Sequence, residues 1–315
     1  MSRTQLSALW TTAAWREAAR VRAAEVDVEH LYLGLIAVGG AAAALLGRHG
    51  ITLASARGRV RDALAEDLAT LGIDVADLPS PIHFMQMGDP AWHATARADA
   101  LLKSVTLTDT YAALVALLQE PSGIVRRLVH ADGVVPQDLV PELKQGADDP
   151  YAPESVPADD AILPRPNRAQ RVRRYVSAPP DAVVDALADP ALLALWAYDP
   201  VTSQVSDGGL RHRMEKGGRS LTVTLDCTRT HENGVDVVTW THTATDGQHA
   251  GETLTYDRFA VNPAPGGSEI VRTAGRRTFG LLGRLLSPVH DLFGSWGMLH
   301  TMQAITFGIA DRQPS

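Results

Sequence analysis

Residues 26–60 read VDVEHLYLGLIAVGGAAAALLGRHGITLASARGRV, and about eighty positions later residues 107–143 read LTDTYAALVALLQEPSGIVRRLVHADGVVPQDLVPEL. Leu31, Leu35, Leu45 and Leu46 of the first stretch correspond to Tyr111, Val115, Leu128 and Val129 of the second. Gly50 before Ile51 corresponds to Gly133 before Val134, a glycine where a helix must stop. The apolar spacing is three to four in both copies, the period of an amphipathic helix. A duplicated unit of this size is one supersecondary block that buries its apolar face against its twin. The reading is an all-α domain of paired helix hairpins over residues 1–144.

The residues of the first copy carry a resemblance. Val28-Glu29-His30-Leu31-Tyr32-Leu33-Gly34-Leu35, followed by a small-residue helix and Gly50-Ile51, resembles the amino-terminal domain of Clp unfoldase ATPases, where a Thr-Glu-His-Leu-Leu-Leu-Gly-Leu run is given twice. The second copy departs from that pattern: Asp109 and Thr110 stand in place of Glu-His, and the helix leading into it is shortened. The resemblance implies a module that docks protein or peptide clients. It also implies Glu29 and Asp109 as peptide-binding positions, since the repeat glutamates of some family members hold phosphorylated arginine. A carboxylate there is suited to a bidentate pair with a guanidinium-type group. Asp109 is one methylene shorter, which weakens or removes such a site. Asp27 competes with Glu29 for the plainer role of capping the helix.

At 315 residues the chain has room for about two domains. Apolar residues make up 45% and charged residues 21%, enough to build real cores. A net charge of −7 argues against nucleic acid as the main partner, because phosphate binding needs a basic face. No stretch approaches the ~20 apolar residues of a membrane-spanning helix. The opening MSRTQLSALW lacks the apolar core of a signal peptide. The lone cysteine, Cys227, excludes an intramolecular disulfide and suits a reducing compartment. These features lead to the expectation of a cytoplasmic protein.

Residues 145–167 hold five prolines and five acidic residues in 23 positions and are expected to form an extended linker. Protease is expected to cut there first and leave two folded fragments. Beyond it the period changes to two. A strand is predicted at 168–177, a helix begins at Pro179-Pro180-Asp181, and a second short helix runs from Pro190 to Trp196. Strands are predicted at 209–216, 219–230, 235–244, 251–262 and 268–278, with Asn233-Gly234 as the sharpest hairpin turn. Ser287 and Pro288 open a long helix to about Ile309, with Val289, Leu292, Phe293, Trp296, Leu299, Met302 and Ile305 on one face.

That order of elements is the order of the helix-grip fold. Val176-Ser177-Ala178-Pro179-Pro180, Val183, Val184, Ala186, Leu187, Asp189 and Trp196 resemble the SRPBCC (START-like) superfamily, which includes polyketide cyclases, aromatase-type proteins, lipid carriers and a co-chaperone branch. The expected architecture is therefore multidomain: an all-α double repeat over 1–144, the linker 145–167, and an α+β helix-grip domain over 168–315.

A sheet curled round a long helix leaves room for an apolar ligand. Trp196, Met214, Trp240, Tyr256, Phe293 and Trp296 are the large side chains expected to line it, with Trp240 and Trp296 on facing walls. His242, His290 and His300 are the polar candidates, and His242 and His300 are assigned to the ligand site. The same residues also suit a plain packed core.

No close histidine spacing forms a metal motif, so no metal or cofactor is expected. Gly294-Ser295-Trp296-Gly297 lacks the spacing of a nucleophile elbow. Cys227 continues the alternation Leu221, Val223, Leu225 and is expected to be buried. No phosphate loop is present, so the chain is expected neither to bind ATP nor to unfold clients alone. The expected function is a non-enzymatic adaptor joining a peptide-interaction module to a domain that binds a hydrophobic small molecule. A cyclase or aromatase-type enzyme and a co-chaperone with a protein-binding second domain are the alternatives.

Overall fold

The computed structural model describes residues 3–74, 93–145, 153–165, 167–193, 203–206, 209–216, 219–278 and 287–313. Among the described residues eight helices come first: α1 (Arg3–Arg20), α2 (Val28–Val38), α3 (Ala41–Arg48), α4 (Leu53–Ala69), α5 (Ala96–Ser104), α6 (Thr110–Gln119), α7 (Ile124–Ala131) and α8 (Pro136–Gln145). Helices α1–α4 and α5–α8 follow the same order, and Gly50 and Gly133 both end a helix with positive φ, +81° and +80°. Local chemistry sets the starts. Asp27 accepts the N–H of Val28 and its own N–H donates to His30 Nδ1, while Thr52 and Ser55 exchange hydrogen bonds at the start of α4.

The two halves differ at one point that matters. Helix α1 spans 18 residues and buries Leu6, Trp10, Ala13 and Ala14 against α2, where the Trp10 indole donates to Leu31 O at 2.7 Å. Its counterpart α5 has 9 residues. Leu31 and Leu35 are fully buried, whereas Tyr111 and Val115 are half-buried.

The rest of the chain is β1 (Glu154–Val156), β2 (Asn167–Val176), α9 (Pro180–Leu187), α10 (Pro190–Leu193), β3 (Ser203–Ser206), β4 (Gly209–Lys216), β5 (Arg219–Glu232), β6 (Val235–Ala244), β7 (Thr253–Ala264), β8 (Gly267–Arg277) and α11 (Ser287–Arg312). The strands form one antiparallel sheet in the order β1-β2-β8-β7-β6-β5-β4-β3. Asn233 and Gly234, at φ +52° and +80°, make the two-residue turn expected between β5 and β6. Met298, Met302, Ile305 and Ile309 of α11 pack with Val238, Trp240, Phe259 and Ile270 of the sheet. After the helical amino-terminal region, the antiparallel sheet with a carboxy-terminal helix packed on it is the arrangement that a helix-grip fold requires.

Two expectations need correction. The segment read as linker carries β1, which pairs with β2, and it buries Leu163 completely. Asp159 N–H donates to the Tyr256 hydroxyl at 3.0 Å, so this segment is tied to the sheet. Cys227 is exposed, as is every residue from Asp226 to Gly234, because the far end of the β5–β6 hairpin runs past the packed part of the sheet. The short second helix is described over Pro190–Leu193, and the rest of the expected stretch, with Trp196, lies outside the described residues.

The helices and the sheet share buried contacts. Gly40, at φ +87°, turns the chain between α2 and α3 and its N–H reaches Tyr175 O at 3.1 Å. Arg174 donates to Val38 O, and Leu53 N–H donates to the Ser177 hydroxyl at 2.7 Å. Glu17 and Arg57 form a buried ion pair at 2.6 Å, and the same guanidinium donates to Ala310 O at 3.1 Å and Gln313 O at 3.2 Å. Ala310 O also accepts the Gln313 N–H at 3.2 Å, so Arg57 adds a second donor in the last turn of α11 and holds Gln313 O just beyond it. Arg16 and Arg20 both pair with Asp311. The carboxy-terminal end of α11 is thus held by α1 and α4.

Candidate functional site

A cleft of about 270 Å³ lies between the sheet and the middle of α11. Its walls come from β2 (Arg168, Gln170), β7 (Thr255, Asp257), β8 (Arg272, Ala274, Arg276) and α11 (Gly297, Met298, Thr301). Strand alternation puts these β7 and β8 residues on one face, since Asp257 pairs with Ala274 and Thr255 with Arg276. A Cβ added at Gly297 would meet nothing within 4 Å, so the helix is thin where it borders the cleft.

The polar groups of this cleft are organised. Asp257 and Arg272 are both buried, and the guanidinium donates to Asp257 Oδ1 from Nε at 2.9 Å and from Nη2 at 2.7 Å. The Arg272 guanidinium also lies 5.8 Å from the centre of the Phe259 ring, a favourable cation–π placement. His242 Nε2 stands 4.0 Å from Asp257 Oδ2. The β6–β7 register shifts between His242 and Thr243, a local irregularity of the kind that re-aims side chains beside sites.

The expected ligand residues are distributed unevenly. Trp240 is buried in the core between sheet and helices, and its indole donates to Leu187 O at 2.9 Å, so it acts as packing and an anchor for α9. His242 is half-buried beside the Asp257–Arg272 pair. Tyr256 borders the cleft by its strand position, but its ring packs against Gly275 and its hydroxyl holds the β1–β2 segment on the opposite face. The side chains of Met214, His290, Phe293, Trp296 and His300 lie outside the described residues, and with them the facing of Trp240 and Trp296.

Arg168, Asp257, Arg272 and Arg276 were not among the residues expected here. Their signal was present in the period-two alternation. Ile270, Arg272, Ala274 and Arg276 share one parity, and so do Phe259, Asp257 and Thr255. Charged residues on the inward parity of a buried strand are the unusual observation.

A second concavity, about 980 Å³, opens along α5 and α6. Leu101, Val105, Tyr111 and Val115 give it an apolar wall, with Arg97, Asp109 and Glu120 among its charged residues. It follows from the shorter α5, which covers less of α6 than α1 covers of α2. Asp109 is the N-cap of α6, accepting Ala112 N–H at 2.8 Å and the Thr108 hydroxyl at 3.1 Å. Glu29 does not cap α2, because Asp27 does. Instead Glu29 stands 3.3 Å from Arg97, which also pairs with Asp27. Burial, with the nearby Asp27 and Glu120 carboxylates, raises the Glu29 pKa above the ordinary range. Arg97 therefore links Glu29 to the groove that Asp109 lines.

No family model matches the sequence, and no curated protein is similar to it. Among solved structures, the chain is similar to a protein from Arthrobacter aurescens at 14% identity, covering 50% of this chain and 91% of that one, with a TM-score of 0.32. It is similar to norcoclaurine synthase from Thalictrum flavum at 13% identity, covering 47% and 90%, with a TM-score of 0.32. A protein from Mycobacterium smegmatis is 16% identical over 51% of this chain and 99% of its own, with a TM-score of 0.31. Among the described residues no single helix is long and apolar enough to cross a membrane.

Proposed function

We propose that the chain is a binding protein in which a helical protein- or peptide-interaction module is joined to a helix-grip domain that takes a small molecule between its sheet and α11. The observation that carries this reading is the cleft under α11, with a fixed Asp257–Arg272 pair at its floor. Convergent polar groups in a concavity are what orient a ligand. The order of two four-helix halves, with glycine stops at Gly50 and Gly133, supports the resemblance to the Clp amino-terminal domain. The strand, two short helices, strands and final helix support the resemblance to the SRPBCC superfamily.

In this reading the groove along α5 and α6 receives the client, with Asp109 and Glu120 on its wall and Glu29 behind Arg97. Mass spectrometry of small molecules released from the purified full chain tests the proposal. A stoichiometric small molecule that rebinds the stripped protein supports it. A chain that purifies empty and binds nothing from a metabolite extract contradicts it.

A second reading, an enzyme of the cyclase or aromatase kind, draws on His242 near the Asp257–Arg272 pair. An imidazole beside a fixed carboxylate is suited to moving a proton. Turnover separates the two readings: the released molecule stays unchanged on long incubation with a binder, and is converted by an enzyme.

A further inference from the structure

We propose that Gly297 sets the size of the molecule that the cleft beneath α11 accepts: a neutral compound of about one ring, whose apolar body lies against the bare backbone of the helix. This rests on the reading of the cleft as a ligand site, and adds to it a specificity-determining position and a ligand class.

A glycine inside a helix weakens folding about fivefold relative to alanine, so its presence there calls for a reason. Close packing is the common one. At Gly34 of α2 an added Cβ would stand 2.5 Å from Ala14 N, so that glycine lets α1 and α2 touch. Gly297, inside α11, differs: an added Cβ meets no described atom within 4 Å. Room alone does not make a site, since Gly58 of α4 also has it, with only Arg61 Nη2 at 3.9 Å. The room at Gly297 belongs to the cleft. Gly297 and Thr301 both line it, and residues four apart share one face of a helix. A side chain at 297 therefore enters the space of the ligand, and glycine keeps that space open.

Volume and chemistry narrow the class. An apolar cavity of about 150 Å³ holds benzene, so a cleft of about 270 Å³ takes one ring with a short substituent. Ala274 and Met298 offer apolar contact. The charged floor is closed on protein partners: Arg272 gives Nε and Nη2 to Asp257, and Nη1 to Met298 O at 3.5 Å. Arg168 and Arg276 are likewise engaged within the protein. A charged ligand gives up its hydration here for partners already taken. The half-buried Thr255 hydroxyl has no hydrogen-bond partner among the described residues. Able to donate and accept, it suits a neutral hydroxyl or carbonyl on the ligand.

Isothermal titration of the full chain tests this with benzyl alcohol, benzoate, benzylamine and the two-ring 4-phenylbenzyl alcohol. Benzyl alcohol is expected to bind about tenfold tighter or more than the other three. Gly297→Leu is expected to lower that affinity about tenfold or more, with a thermal midpoint no lower than that of wild type. Gly297→Ala is expected to favour folding about fivefold in urea unfolding. A folded Gly297→Leu that binds benzyl alcohol like wild type overturns the inference and leaves the ligand site standing. A Gly297→Ala that is less stable than wild type shows the space to be filled, and overturns it whether or not Gly297→Leu folds. Benzoate or benzylamine binding as tightly as benzyl alcohol overturns the neutral assignment, and 4-phenylbenzyl alcohol doing so overturns the size limit. Wild type binding none of the four overturns the ligand class, while the ligand-site reading is decided separately by whether the purified chain releases a small molecule.

Discussion

Arg57→Leu is the substitution with the widest consequence in this structure. The wild-type guanidinium is 2.6 Å from Glu17, and the two side chains are 4% and 3% exposed. Removing Arg57 leaves the buried Glu17 carboxylate with Arg20 Nε at 4.0 Å in place of a hydrogen-bonded guanidinium, and breaking a buried pair costs about 3–5 kcal/mol. The same change strips Ala310 O and Gln313 O of a donor at the end of α11. Equilibrium urea unfolding followed by far-UV circular dichroism is the assay, with the midpoint and slope fitted together. The double variant Glu17→Leu/Arg57→Leu is expected to regain most of the loss, since replacing a whole buried pair by apolar side chains is often close to neutral. A single variant within about 1 kcal/mol of wild type would refute the reasoning. So would a double variant no better than Arg57→Leu alone.

Three further outcomes follow from individual contacts. Burial lowers the His30 pKa to about 4, and its Nδ1 accepts the Asp27 N–H, so the folded state keeps this imidazole neutral where the unfolded chain protonates it near 6.5. Stability should therefore fall as pH drops from about 6.5 towards 4, by about 3 kcal/mol from this group, and His30→Gln should lack that part of the slope in urea midpoints measured across the range. Gly47→Ala would place a Cβ 2.1 Å from the Tyr175 hydroxyl and 2.6 Å from Pro265 O; a loss of about 1–3 kcal/mol or more is expected in thermal unfolding, and a neutral result would mean that the helix–sheet seam is looser than described. Trp240→Phe keeps an aromatic in the core but abandons Leu187 O, so a loss of at least about 1 kcal/mol is expected, and an unchanged urea midpoint would deny the indole its anchoring role.

Much of the architecture was legible because local chemistry and tertiary structure agree. The Asn233-Gly234 turn, the prolines before α9 and the stripe through Met302 and Ile305 each specify one local geometry, and the strand limits at 209–216 and 235–244 match the alternation. The segment holding Glu154–Val156 and Leu163 was misread because prolines and acids locally favour an extended chain, and only the exposed edge of β2 turns that chain into a strand. Cys227 shows the limit of parity: alternation fixes which face a residue takes, and whether anything covers that face depends on other elements.

The charged lining of the cleft was missed for a related reason. Aromatic residues were weighted as ligand walls, whereas Trp240 serves the core and Tyr256 serves the far face. Arg272 and Asp257 do not stand out as a pair in the sequence, because their separation of 15 hides that β7 and β8 place them together. Arg57 was similarly silent in sequence. Its role depends on α1 and the end of α11, which lie 40 and 253 residues away at Glu17 and Ala310.

The central claim is that a small molecule binds between the sheet and α11. Methyl spectra of the full chain, labelled at methionine and alanine, test it most directly during titration of the stripped protein with the small molecule released from it. The Met298 and Ala274 resonances should shift saturably. Unmoved Met298 and Ala274 signals, with shifts only at methyls remote from the cleft, would contradict the account.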